Sequence, residues 1–334
     1  MPILAGGLST TPVVETPSVV QPVWSEDLGT IAATWIDPDG TEWPLSNPDL
    51  GWFTMDGPAG WGSTPLEIVV DPLPRGGEQV RYIRSKSRRI QWPLYIGGDD
   101  HAEFVTRYRQ LMHAFTATTQ RGVPGWLRIG RTGSGRYRQI AAYYEEGWEG
   151  ESGQNHLFAK PVVQLYCPDG FWSGDTPVVA ARTFEASNPD PDDLVTFYRP
   201  FMSVTSSRLV SGGDDGSGAP SSTTVVNDGQ VEAWPVWKLR GPFDKLTCVN
   251  LTTGARFSLT YNLAAGDAIT ITTNRPSVRD LAGVNRSRFI DWLNPLGTEL
   301  WPLVPGANEI AFIAMGAGAG TGVEMTFTPR YETA

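Results

Sequence analysis

The side chains best equipped for chemistry fall in a few places. Glu145, Glu146, Glu149 and Glu151 lie among Tyr143, Tyr144 and Trp148. Paired acids set among aromatic rings are the make-up of a glycosidase cleft, where one carboxyl donates a proton and the other attacks or activates water. Gly147 and Gly150 interrupt the cluster. A glycine-punctuated hairpin tip splays its acids into water, where they stay ionised and none gains the raised pKa of a proton donor. The cluster therefore reads as a solvated loop, with a glycosidase as the enzymatic alternative. His101, His113 and His156 include no pair four residues apart and have no cysteine nearby, so neither a helical zinc site nor a triad is built from them. Cys167 and Cys248 are far apart and read as two buried thiols. Residues 130–135 (GRTGSG) lack the Gly-Lys-Ser/Thr ending of a phosphate loop and precede no helical pattern, which leaves a glycine-rich turn. The expectation is no catalytic residue, no cofactor and no metal.

Arg81, Arg84, Lys86, Arg88 and Arg89 form a basic run beside Tyr82 and Trp92, as a groove for single-stranded nucleic acid would. On a strand, however, successive side chains point to opposite faces, so only some could meet one ligand. The chain carries 26 Lys and Arg against 36 Asp and Glu, a formal charge of −10, which repels phosphates over most of the surface. Arginines on an acidic protein suit carboxylates of a neighbouring subunit. Arg81, Arg84, Lys86, Arg88 and Arg89 are thus candidate contacts between copies, with Glu145, Glu146 and Glu149 as candidate partners.

The elements that must position these groups are short. Glycine (37) and proline (27) make up about a fifth of the chain, which favours strands and turns over long helices. Residues 31–36 and 41–45 flank Asp-Pro-Asp-Gly and read as a hairpin. Further strands are expected at 66–70, 79–83, 89–94, 126–129, 137–144 and 162–166, most of them carrying aromatic or β-branched residues. One amphipathic helix is expected over 99–119, where Phe104, Tyr108, Leu111, Met112 and Phe115 fall on one stripe behind an Asp99 or Asp100 cap. After 223 a period of two takes over: Phe257, Leu259 and Tyr261, then Ile269 and Ile271, then Val323, Met325 and Phe327. Several such strands in succession indicate a β-sandwich. The division expected is an extended arm at 1–22, a first domain at 23–180, a Gly/Pro/Ser/Asp-rich connection at 181–222 and a sandwich at 223–334. No stretch reaches 18 apolar residues, so assembly in the cytoplasm without membrane insertion is expected.

Several of these segments resemble the siphophage distal tail protein family. In the first half these are RIQWPL at 89–94, the helix, GWLRI at 125–129, RQIAAYY at 138–144 and YCPDGFW at 166–172. In the second they are NDGQVEAWP at 227–235, NLTTG at 250–254 and LVPGANEI at 303–310. Pro168 precedes Asp169 where the family usually has Asp-Pro. The resemblance implies a belt domain of β-sheets plus one helix, followed by a galectin-like or jelly-roll-like sandwich. It implies a non-enzymatic virion subunit forming a ring, a hexamer, at the tip of a long non-contractile tail. The ring's partners would be other copies, the tail tube protein, the tip hub protein, and receptor-binding or fibre proteins, with DNA only in passage through the bore. A free carbohydrate-binding sandwich is the rival reading.

Overall fold

The computed structural model describes residues 31–131, 136–150, 156–183, 222–292, 297–318 and 320–334. The arm at 1–22, Glu151 and most of the turn at 130–135 and of the connection at 181–222 lie outside them. The chain is mainly β. Alternating apolar residues build two separate hydrophobic cores, one over 33–172 and one over 180–327.

The first core lies under an antiparallel sheet that runs in space as Glu42–Pro44, Ile31–Ile36, Gly125–Arg131, Tyr137–Glu146, Val162–Cys167, Arg88–Gly97 and Trp52–Thr54. In Arg88–Gly97 the even positions Ile90, Trp92, Leu94 and Ile96 point inward and are buried. The helix His101–Arg121 packs on this inner face against Tyr137–Glu146 and Arg88–Gly97. Its buried residues Phe104, Tyr108, Leu111 and Phe115 recur at spacings of four and three, as the sequence pattern requires. The Asp100 carboxylate accepts from Glu103 N at 2.8 Å, and Glu103 in turn accepts from Asp99 N at 2.7 Å, so both acids serve the cap. Gly122 ends the helix at φ +66, a left-handed conformation that favours glycine. Trp35 fixes the helix to the sheet: its ring stacks on Phe115 at 4.6 Å and its indole N–H donates to Ala114 O at 3.0 Å.

The second core is enclosed by two antiparallel sheets. One runs Val178–Thr183, Gly322–Phe327, Val236–Arg240, Ala268–Thr272, Ser277–Asp280; the other runs Ser222–Asn227, Gly306–Met315, Phe243–Asn250, Arg256–Leu263. Edge-to-face contacts of Trp237 with Trp301 at 5.2 Å and with Phe312 at 5.8 Å fill the space between them. The strand Val178–Thr183, which straddles the expected end of the first domain, is paired wholly inside this sandwich.

The chain then returns. Arg330–Tyr331 leaves the sandwich and pairs with Trp172–Gly174, a strand of the first sheet, and Tyr331 and Ala334 pack against the first core.

Candidate functional site

The basic run divides between three environments. Glu78–Ser85 pairs only with Leu66–Pro72, forming a two-stranded ribbon outside both cores. On one face of it Arg81 binds Asp71 with a second contact at 2.9 Å, and Arg84 and Lys86 share Glu67. Hydrogen bonding from Arg84 holds the Glu67 carboxyl below its usual value. These three cations are therefore matched within the ribbon itself.

Arg88 is not on the surface. It is 1 % exposed, because it shares the inward parity of Ile90 and Trp92. It donates to Gly170 O from Nη2 at 2.6 Å and Nε at 2.9 Å, to Gly62 O at 2.8 Å, to Glu332 O at 2.9 Å and to Thr64 Oγ1 at 3.1 Å. Burial pulls its pKa down, with Cys167 and Asp169 opposing. A side chain saturated inside its own chain has no surface with which to meet a second copy, which corrects the expectation for Arg88.

Arg89 has the opposite parity and lies outside. Its guanidinium grips Glu145 through Nε at 2.8 Å and Nη2 at 2.9 Å, and Gln164 adds a bond to the same carboxylate at 3.2 Å. Arg89 first and Gln164 second hold the Glu145 pKa below the ordinary carboxylate value. That is the reverse of what a proton donor requires. The basic run and the acidic cluster thus do meet, but at Arg89 and Glu145 of one chain. Glu146 and Glu149 are exposed. The neighbouring rings do not line a cleft with them: Trp148 packs inward on Tyr108 at 5.1 Å and on Phe115 at 6.0 Å. His101 Nδ1 lies 2.8 Å from His156 O, a contact that ties the start of the helix to a loop. Cys167 and Cys248 are buried, one in each core, and burial pushes the Cys167 thiol up to about 12. No helix among the described residues is long and apolar enough to cross a membrane.

The joint between the two cores was missed in the sequence. Arg330 grips Asp169 with two bonds of 2.8 Å and lies over the Phe171 ring at 4.6 Å. Arg138 donates to Thr333 O at 2.6 Å and lies over Tyr331 at 4.0 Å. Gly170, between Asp169 and Phe171, must be glycine: a Cβ there would fall 2.5 Å from Lys86 O and 2.6 Å from Thr64. The segment at 166–172 that carries part of the family resemblance is therefore where strand 330–331 is bound.

Residues 228–331 match the family model described as "Siphovirus-type tail component, C-terminal domain". No curated protein matches the chain. Among solved structures, the Dit (gp 19.1) protein of phage SPP1 is 14% identical with a TM-score of 0.58, covering 90% of this chain and 99% of that one. It is described as a paradigm of hub adsorption apparatus in phages infecting Gram-positive hosts. A chain of the phage p2 baseplate in its activated conformation with Sr is 10% identical, TM-score 0.50, covering 92% of this chain and 100% of that one. The Ca form is similar at 10% identity and TM-score 0.50, covering 91% of this chain and all of that one. At such identities these likenesses establish a shared fold. Residues 228–331 are thus similar to the C-terminal domain of siphovirus-type tail components, and the chain shares its fold over nearly its whole length with the Dit protein of SPP1.

Proposed function

We propose that this chain is a structural subunit of a ring, a hexamer, at the distal end of a long non-contractile phage tail. There it joins the tail tube to the hub and to receptor-binding or fibre proteins. In this reading the first domain, as far as Trp172–Gly174, forms the ring, and the sandwich built from Val178–Thr183 and residues 222–327 meets the tip. The chain works by fitting surfaces together rather than by making bonds. The observation that carries this is the continuous likeness of both halves, in the same order, to a phage hub protein, with the tail component match in the second half. The weld at 330–334 supports it, because a connector between tube and tip must hold its two domains in fixed register. An excess of acidic residues, giving −10, also suits a bore through which DNA passes without being held. Cryo-electron microscopy of the parent particle tests the proposal: density for this chain as a ring at the tail end is expected, and a position elsewhere in the particle overturns it.

A further inference from the structure

A cavity of about 320 Å³ opens on the outer face of the five-stranded sheet of the sandwich, lined by Lys238, Arg240, Asp267 and Leu281 with Gly266 and Gly320. Its floor follows from strand parity. In Val236–Arg240 the side chains of Trp237 and Leu239 point inward and are fully buried, so Lys238 and Arg240 stand together on the other face, about 7 Å apart. Gly241 N donates to Asp267 O at 3.0 Å, and a Cβ on Gly241 would fall 2.3 Å from Ala264 O. The turn at 264–267 therefore lies tight against the end of that strand and sets Asp267 beside Arg240. Leu281, 67% exposed, supplies an apolar wall. The turn that carries it is locked, because the Asp280 carboxylate accepts from Ala282 N at 3.0 Å, from Val284 N at 2.9 Å and from Arg286 Nε at 2.9 Å.

The charges on this face are only partly matched. Arg240 pairs with Glu324 at 3.1 Å. The Lys238 ammonium and the Asp267 carboxylate have no hydrogen-bond or ion-pair partner among the described residues. The register sets Thr270 beside Lys238 and Arg279 beside Thr270, so a further cation lies two strands away, about 10 Å. Thr272 and Ser277 share the same face. The result is a positive patch set among hydroxyls on a chain of formal charge −10. On the ribbon, by contrast, Arg81 and Arg84 are neutralised by Asp71 and Glu67.

We infer that this cavity binds an anionic saccharide. Its acid group, carboxylate or phosphate, lies between Lys238 and Arg240, its ring hydroxyls donate to Asp267, and the C–H face of the ring rests on Leu281. An acidic peptide would use the cations but be repelled by Asp267, whereas a sugar hydroxyl donates to a carboxylate. A nucleic acid would call for stacking, and no aromatic ring lines the cavity. A bare inorganic anion is too small for a space of this size, which stands at the lower end of the range for organic ligands. The site is built within one sandwich, so the inference stands apart from the ring proposed above.

Titration calorimetry of the full chain tests it, with a glucuronate-containing disaccharide, glucose 6-phosphate and neutral cellobiose at millimolar concentration. Saturable binding of an anionic sugar is expected, at least about tenfold tighter than cellobiose; the tighter of the two tells carboxylate from phosphate. Lys238→Gln should weaken that binding about tenfold or more, with an unchanged melting temperature. Asp267→Asn should weaken the sugar while leaving inorganic phosphate bound no worse, a divergence that a general loss of structure would not give. Lys245→Gln, on the opposite sheet, should change nothing. Inorganic phosphate binding as tightly as the sugars would mean a plain anion patch and overturn the inference. So would a glutamate-rich peptide binding in place of the sugars, no saturable binding of either anionic sugar, or Lys238→Gln binding at the wild-type level. None of these results bears on where the chain sits in the particle, so the site and the proposed function fail separately.

Discussion

Replacing Arg88 with alanine removes the donor that gathers the carbonyls of Gly170, Gly62 and Glu332 around one buried cation. A hydrogen bond to a charged group contributes about 1.5–3 kcal/mol net. These bonds cannot simply be added, because taking a guanidinium out of water costs several kcal/mol against them. Breaking such a buried polar hub is expected to cost about 3–5 kcal/mol, as the carbonyls left behind have no partner. With each kcal/mol worth about 2–4 °C in a domain of this size, the melting temperature should fall by roughly 6–20 °C. Scanning calorimetry of the full chain measures it. Arg88→Lys should recover less than half of the loss, since an ammonium has three donors on a point charge and cannot span the fork. Arg88→Met should behave like alanine, because an apolar side chain of similar length still leaves the carbonyls unpaired. Arg84→Ala, whose side chain is 63% exposed, serves as the neutral control. Melting of Arg88→Ala within experimental error of the wild type, or full rescue by lysine, would refute the account of Arg88 as an internal brace.

Deleting residues 330–334 should uncouple the two cores without unfolding either; circular dichroism is expected to keep its strand signal while small-angle scattering shows a larger radius of gyration. An unchanged radius would show that the tail is not what holds the halves together. Trp237→Ala, which empties a fully buried ring position, should destabilise the sandwich by about 3–5 kcal/mol, seen by calorimetry. Cys167 gives an alkaline prediction. Its folded pKa of about 12 lies above the ordinary 9.0, so the folded state holds its proton longer; that stability is complete below the ordinary value and is lost as pH rises toward 12. Cys167→Ala should therefore flatten the fall in melting temperature over that window, and an identical alkaline profile would count against it. At neutral pH, thiol reagents should label Cys167 and Cys248 only after denaturant is added.

What the sequence disclosed follows the range of the interaction involved. The helix came out within two residues because its stripe, its Asp100 cap and its terminal glycine are all local. Strands such as Arg88–Gly97 and Gly125–Arg131 were legible from composition and alternation, with their ends one to three residues short. The arginine run shows where local reading stopped too early. Alternation correctly implied that not all five cations face one way, and it also held the answer for Arg88: two residues before Ile90 and four before Trp92, it must point into the same core. A buried arginine is rare enough without a carboxylate that parity was outweighed by residue type. Its partners explain the exception, being backbone carbonyls from loops at 60–62, at 170 and at 332 that no local pattern announces. The same is true of Arg330 and Asp169, whose pairing spans 161 residues. A two-residue strand docked on a distant sheet leaves no periodicity to detect, and its sequence, Arg330–Tyr331, reads like any strand end. The site residues that link the halves were thus invisible for a physical reason: each is individually ordinary, and their role arises only when two independently built cores bring them together. The exposed ribbon is the converse case: both of its strands were legible in the sequence, and only the fold reveals that they pair with each other alone.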